Sequence, residues 1–331
     1  MSKKVLITGG AGFIGLHLAE KLLQEGFRVD LVDNFKRAVN DQMLNDILID
    51  ERINFSNIDL LKPSDIEKIS TDYDIIVHLA AIIGVVHVLE RPYEVLYDNL
   101  QLLSNVINLA QKQKKLNRFL FASTSEVYAG TLEHFDLPIP TPENTPLALT
   151  EVNQPRSSYM LSKIYGEALC HQSGLPFTIF RPHNLYGPRM GMAHIIPEQL
   201  FKAFQKENGD TIDVFSTDHT RSFCYISDAT EMLFRIMNTD LCAGKTLNIG
   251  SQGPEIKIKD VAKLCYLTAG KQLRINPKPA TKGSPSRRNP DMSLVKQLID
   301  YEATIGLKDG IGLTYNWYKK NVFDNTGLTA L

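Results

Sequence analysis

The sequence has little of several things, and each shortage removes a class of function. Only four cysteines occur in 331 residues, Cys170, Cys224, Cys242 and Cys265, and no two form a C-x-x-C pair. That spacing argues against a zinc site or a disulfide framework and fits a reducing cytosol. The formal net charge is −1, so no global field draws the chain to nucleic acid or to an anionic membrane. Lys112, Lys114 and Lys115 read as the solvated basic end of a helix. No apolar run is long enough to span a bilayer, and Met-Ser-Lys-Lys leads directly into an apolar segment, leaving no room for a signal peptide. A cytoplasmic protein is expected. Internal repeats and low-complexity tails are missing as well. With 43% hydrophobic and 22% charged residues, the chain suits one large core plus a smaller lobe.

What is present is concentrated at the start. Val5, Leu6 and Ile7 form a short apolar run suited to a strand buried on both faces. Thr8 to Gly12 make a turn, and a helix is expected from Phe13, with Ile14, Leu18, Leu22 and Leu23 on its inner side. Strand, glycine turn and helix in that order suit a dinucleotide pyrophosphate. Glycines let the backbone approach the phosphates, and N–H groups at the helix start point at the negative charge. Gly10, Gly12 and Gly15 fit G-x-G-x-x-G, while Gly9, Gly12 and Gly15 fit a spacing of three. Arg28–Val32 reads as the next strand, and Asp33 stands where an acid would bond the adenosine ribose hydroxyls. A carboxylate there favours NAD, since a 2′-phosphate would face it. Lys36 and Arg37 soften that preference.

Further strands are expected at 53–58, 73–81, 118–124 and 177–181, with helices near 64, 92–112 and 157–173 between them. This alternation predicts an α/β fold with a doubly wound parallel sheet. Residues 129–157 carry five prolines and break the rhythm, as a rim or lid over the sheet ends would. Helices near 194–207 and 227–239 point to a smaller C-terminal lobe. The division expected is 1–180 for the dinucleotide-binding domain and mainly 181–331 for the substrate lobe, with some strands free to return to the main sheet.

Tyr159 and Lys163 lie four apart on a predicted helix and share a face. A lysine cation there would favour phenolate and lower the tyrosine pKa, giving a base able to take a hydroxyl proton while hydride leaves for NAD⁺. Thr124, at the end of the 118–124 strand, can orient the reacting oxygen, or simply cap the strand end.

Together T-G-G-A-G-F-I-G, H-L-A-A, S-T-S-E-V-Y, Y-x-x-x-K, R-P-H-N-L-Y-G-P-R and T-R-S-F-C-Y-I-S-D resemble the extended short-chain dehydrogenase/reductases. The branch of NAD-dependent nucleotide-sugar epimerases, dehydratases and decarboxylases fits best, from residue 4 to about 320. The resemblance implies a Rossmann-like sheet with a smaller C-terminal lobe. It also implies NAD held by Gly9, Gly12, Phe13, Ile14 and Gly15, by Asp33 and Asn34, and by Asp59 and Leu60 near the adenine. Leu79, Ala80, Ala81 and Asn99 would border the cofactor, and Tyr159 and Lys163 would meet its nicotinamide end. Thr124, Tyr159 and Lys163 fall on catalytic positions. Asn184, Arg189, Arg221 and Arg288 would hold a nucleotide diphosphate sugar, with UDP expected. Guanidinium suits phosphate oxygens, whereas Arg287 reads better as a surface ion pair. A homodimer through the helices near 92–112 and 157–173 is implied too.

Glu126 departs from the plain 4-epimerases, which usually have no acid there, and from the Asp-Glu pair of many 4,6-dehydratases. Ser125-Glu126 resembles the UDP-glucuronate decarboxylases and some UDP-N-acetylhexosamine 4,6-dehydratases. Gly187-Pro-Arg-Met190 and the arginine two before Pro290 resemble the decarboxylases as well. The apolar stretch 82–87 counts mildly the other way, and Glu126 could instead pair with a nearby arginine. The expected chemistry is oxidation of the sugar at C4 to a 4-keto intermediate, followed by epimerisation, water loss or CO₂ loss. Two rivals are a reductase of a free keto sugar and a non-catalytic NAD-binding scaffold; no metal is expected.

Overall fold

The computed structural model describes residues 2–280 and 284–325. Its centre is a seven-stranded parallel sheet. In chain order the first six strands are β1 (Lys4–Thr8), β2 (Arg28–Asp33), β3 (Ile53–Asn57), β4 (Ile75–His78), β5 (Arg118–Ala122) and β6 (Phe177–Pro182). Short strands β7 (Leu185–Tyr186), β8 (Thr211–Phe215), β9 (Thr220–Arg221) and β10 (Cys224–Tyr225) follow, and β11 (Thr246–Ile249) returns to the sheet beside β6. The spatial order is β11-β6-β5-β4-β1-β2-β3. The order reverses between β1 and β4, and in such sheets ligands bind outside the carboxyl ends of the strands at that point.

Helices cover both faces because the central strands are apolar on both sides. One layer is α1 (Phe13–Gln24), α2 (Gln42–Ile47) and, from later in the chain, α9 (Ile226–Met237), which packs on α1. The opposite layer has α3 (Pro63–Ile66), α4 (Val85–Glu90), α5 (Pro92–Gln111) and α7 (Ser157–Gln172), with α5 and α7 packed along their length. Leu16, Leu18, Leu22, Leu233 and Ile236 fill the first interface, and Leu103, Val106, Phe119 and Phe121 the second. α6 (Ala129–His134) opens the proline-rich segment.

A third core belongs to the smaller lobe. It joins α8 (Ile195–Phe204), α10 (Ile258–Thr268) and α12 (Leu307–Tyr318) to the paired strands β8 and β13 (Arg274–Lys278). There β9 is flanked by β12 (Ile256–Lys257) and β14 (Arg287–Arg288). α11 (Ser293–Ile299) crosses back to pack near β11. The chain after 181 therefore serves both lobes, passing between them more than once. Among the described residues no helix is long and apolar enough to cross a membrane.

The strand expected over 73–81 is shorter. Pairing with β5 stops at His78, opposite Phe121. Beyond it the Asn99 side chain accepts from Ile82 N at 2.7 Å and donates to Ile82 O at 3.0 Å, taking the backbone bonds that a longer strand would use.

Candidate active site

The glycine turn lies at the end of β1 and runs into α1. Gly9 has φ +69° and its missing Cβ would fall 2.8 Å from Ala80 N; a Cβ on Gly15 would fall 2.6 Å from Gly9 O. Side chains are thus excluded from the turn, which packs on Leu79 and Ala80 at the tail of β4. Gly12 caps α1 without any side-chain hydrogen bond, so no side chain competes for its first N–H groups. Phe13 and Ile14 pack against both the sheet-side core and the core of the smaller lobe, at the seam between them. Asp33 ends β2, accepts from Phe35 N at 3.0 Å and lies beside Ala11 N–H; burial raises its pKa. A cradle that admits no Cβ, an uncapped helix start and an acid beside them fit a dinucleotide. Asn34 accepts from Lys36 N, and Lys36 reaches Asp59 at 3.2 Å. Leu60 is a core residue, and Ala81 is half-buried.

Thr124 caps the 3₁₀ turn Ser125–Tyr128, accepting from Glu126 N at 3.2 Å, and its side chain also bonds Tyr159. Lys163 Nζ donates to Ala122 O at 2.8 Å and lies 5.8 Å from the Tyr159 ring centroid. Burial pushes the lysine pKa down to about 8. The expectation that this lysine lowers the tyrosine pKa is corrected here. Burial first, and the Glu126 carboxylate second, push Tyr159 up to about 12, against the Thr124 hydrogen bond and the Arg37 and Arg288 cations. Behind the triad, Glu167 accepts from Ser123 Oγ at 2.5 Å and forms a buried ion pair with Arg181 at 2.6 Å. His78 bonds Thr8 Oγ1 at 2.7 Å, is held neutral by burial and supports the strand ends.

Across the cleft, Arg288 forms an ion pair with Glu126, 162 positions away in sequence. Both charges act on Tyr159. Arg221 is buried, and burial together with Arg288 pushes its pKa down to about 9. Two crowded guanidiniums make this corner favourable for an anion. Arg221 also donates to Ser286 O and Pro285 O, holding β14 in place. Asn184, at φ +43°, donates to Ser222 O at 2.9 Å. Arg287 pairs with Glu255 at the surface, as its sequence reading has it.

Two residues expected at ligands are committed to the protein. Arg189 donates to Asp41 Oδ2 at 2.6 Å, Ala11 O at 2.5 Å and Val39 O at 2.7 Å, with its side chain only 2% exposed. It clamps the glycine turn to the loop after β2. Asn99 is spent on Ile82 and on Ser162. Conversely, Arg37 and His194 keep exposed surface while protein crowds their charged ends. Arg37 acts on Asp33 and Tyr159, and burial brings His194 down to about 4. Arg37 carried a sequence signal in its place after Asp33; His194 carried none. Among the described residues no cluster of three or more His, Cys, Asp or Glu could hold a metal.

With this geometry, residues 5–250 match the family model described as NAD dependent epimerase/dehydratase family. The chain belongs to that family. It is 33% identical to a UDP-N-acetyl-alpha-D-glucosaminuronate decarboxylase of Bacillus cytotoxicus, over 97% of this chain and 99% of that protein. It is 30% identical to UDP-glucuronic acid decarboxylase 1 of Xenopus tropicalis, over 97% of this chain and 73% of the relative. Among solved structures it is similar to UDP-glucuronic acid 4-epimerase of Bacillus cereus in complex with UDP-glucuronic acid and NAD. The TM-score there is 0.80 at 25% identity, over 96% and 99% of the two chains. As an NAD-dependent epimerase/dehydratase-family member, the protein is a nucleotide-sugar enzyme whose cofactor is NAD and whose sheet is Rossmann-like.

Proposed function

We propose that this chain decarboxylates a nucleotide-linked hexuronate, with UDP as the nucleotide. The observation that carries this reading is the Glu126–Arg288 ion pair beside Tyr159. A 4-epimerase needs only the tyrosine and room for the keto sugar to turn. A 4,6-dehydratase needs an acid free to reach the leaving hydroxyl, and Glu126 is already engaged by Arg288. A fixed cation beside the reacting carbons instead suits a substrate that brings its own carboxylate. The two decarboxylase relatives support the same reading.

The Gly9–Gly15 turn, Asp33 and Lys163 would hold NAD, which would supply the hydride acceptor for C4 of the sugar. Tyr159 takes the proton of the C4 hydroxyl as phenolate, a form that a positive nicotinamide ring would favour against the burial that raises its pKa here, and Thr124 holds that oxygen. The C4 ketone is then β to the C6 carboxylate. The C5–C6 bond breaks, its electron pair forms the C4–C5 enolate, CO₂ departs and C5 takes up a proton from water; the C4 ketone would then take back the hydride, and Tyr159 would return its proton to the C4 oxygen. Negative charge gathers on the C4 oxygen during bond breaking. Tyr159, now a phenol with a raised pKa, keeps its proton and donates a hydrogen bond there with Thr124. Lys163 and Asp33 hold positions suited to the nicotinamide and adenosine riboses. Asn184 and Arg221 form the anion-favouring side suited to the diphosphate, while Arg288, beside Tyr159, is kept for the sugar carboxylate.

We further propose a homodimer built on α5 and α7. Tyr93, Tyr97 and Tyr165 are exposed on these helices at 75%, 52% and 56%, and the first two stack at 5.8 Å. Light scattering of the purified protein tests it, with a monomeric mass as the overturning result. All four cysteines are buried and unbridged, in keeping with a cytoplasmic protein.

The deciding experiment is mass spectrometry of the purified protein with NAD and UDP-glucuronate or its 2-acetamido analogue. Loss of CO₂ supports the reading. An isomer of unchanged mass means an epimerase, and loss of water from a neutral hexose means a dehydratase.

A further inference from the structure

The Arg288 guanidinium is held at one end and unpaired at the other. Its backbone is fixed, since Arg288 O accepts from Ser222 N at 3.0 Å and Asn289 O accepts from Thr141 N at 2.8 Å. Nη2 pairs with Glu126, whereas Nε is buried without a partner. Two further unpaired buried atoms, His183 Nδ1 and Asn289 Oδ1, belong to residues that line one small cavity with Arg288. The space open to water there is about 10 Å³, which suits a single molecule. The Tyr128 and Thr141 hydroxyls that border it already donate elsewhere, to Asn248 Oδ1 at 3.1 Å and Pro138 O at 2.8 Å.

Neighbours fix the character of His183 Nδ1. Asn248 Nδ2 donates to Thr141 O at 3.0 Å and to Asp291 O at 3.2 Å, which turns Asn248 Oδ1 toward His183 Nε2 at 3.0 Å. That oxygen can only accept, so Nε2 carries the proton and Nδ1 carries a lone pair. Burial pushes the ring's pKa down to about 3, helped by the Arg288 and Arg181 cations, so the imidazole stays neutral. The corner therefore presents two acceptors and one donor. A water molecule has two protons to give and a lone pair to receive, and leaving all three atoms unpaired would cost free energy.

Resting on the decarboxylase reading, we infer that one bound water joins His183 Nδ1, Asn289 Oδ1 and Arg288 Nε, and that through it His183 positions the Arg288 guanidinium for the substrate's carboxylate. When that carboxylate competes with Glu126 for the outer nitrogens, the bond at Nε is the hold that remains. His183 is thus a positioning residue, fixed in turn by Asn248 on β11.

The test pairs crystal structures of the wild type and His183→Phe with calorimetric Kd values for UDP-glucuronate and the neutral UDP-glucose. The wild-type map should show a water within hydrogen-bond distance of all three atoms. His183→Phe should displace Arg288 and weaken UDP-glucuronate roughly tenfold, with UDP-glucose little changed. His183→Asn, which keeps an acceptor near the place of Nδ1, should recover part of the loss. Asn289→Leu, which removes the other acceptor, should act in the same direction as His183→Phe and serves if that variant does not fold. No water in the wild-type map, equal losses for both sugars, or an unchanged ratio overturns the inference. If the wild type binds both sugars alike and releases no CO₂, the decarboxylase reading fails on its own. The water and the place of Arg288 are then judged by the maps, and an Arg288 that His183→Phe leaves unmoved overturns the positioning.

Discussion

The two sides of the cleft are built on different terms. On the sheet side, buried polar groups satisfy one another. Thr8 bonds His78, Ser123 and Arg181 share Glu167, Lys163 bonds Ala122 O, and Arg189 closes the loop over the glycine turn. On the other side they do not. Every unpaired buried side-chain atom found among the described residues, on His183, His219, Ser222, Arg288 and Asn289, lies after residue 182. The sheet side is complete before a ligand arrives and is shaped for one cofactor. The far side is left short of partners.

Four experiments would break or sharpen that contrast. The largest effect is expected for Tyr159→Phe, which removes the base and should cut kcat by about 10³-fold or more while NAD stays bound. Steady-state rates with the bound-cofactor absorbance check it. Loss of NAD along with activity would make Tyr159 part of the completed scaffold instead. Arg189→Leu comes next. It strands Asp41 and two carbonyls, and should destabilise the fold by about 3 kcal/mol and weaken NAD retention, with the sugar KM little changed. Denaturant melts and cofactor content decide it, and a raised sugar KM would return Arg189 to the substrate.

Acid should loosen both sides. His78 and His183 are each held near a pKa of about 3, below the value near 6.5 of an unfolded histidine. Between those values the unfolded chain binds more protons than the folded one, so stability falls as pH drops. The loss is roughly 2 kcal/mol per histidine by pH 5, and Tm against pH reads it. A flat profile from pH 7 to 5 would mean that neither ring is held neutral. The smallest effect is expected for Arg287→Ala, whose exposed pair with Glu255 contributes about 0.5 kcal/mol, with kcat/KM unchanged. A drop in kcat/KM would extend the anion corner to the surface.

The contrast also sets what could be read from the sequence. Short-range features were legible: β1, the glycine turn, Asp33, the Tyr159–Lys163 face and α5 all follow from spacing within one or two elements. Features made by distant segments were not. No local pattern says that Glu126 meets Arg288, or that Arg189 turns back to Ala11 when its charge alone suggests phosphate. Asn99 had the position of a cofactor contact, but the backbone of Ile82 claimed its amide. The tyrosine pKa failed for a different reason. Spacing gives the neighbour lysine but neither the depth of burial nor the Glu126 carboxylate, and those outweigh it.

The return of β11 to the sheet, from a point beyond the substrate lobe's first strands, has an evolutionary consequence. A lobe appended at one end of a chain can be exchanged like a cassette, by joining genes at a single seam. Here α9, β11 and α11 are threaded into the sheet domain between stretches of the other lobe. No single cut separates the two. New preferences must then arise by point changes, one residue at a time, within a fold that cannot be dismantled to be refitted.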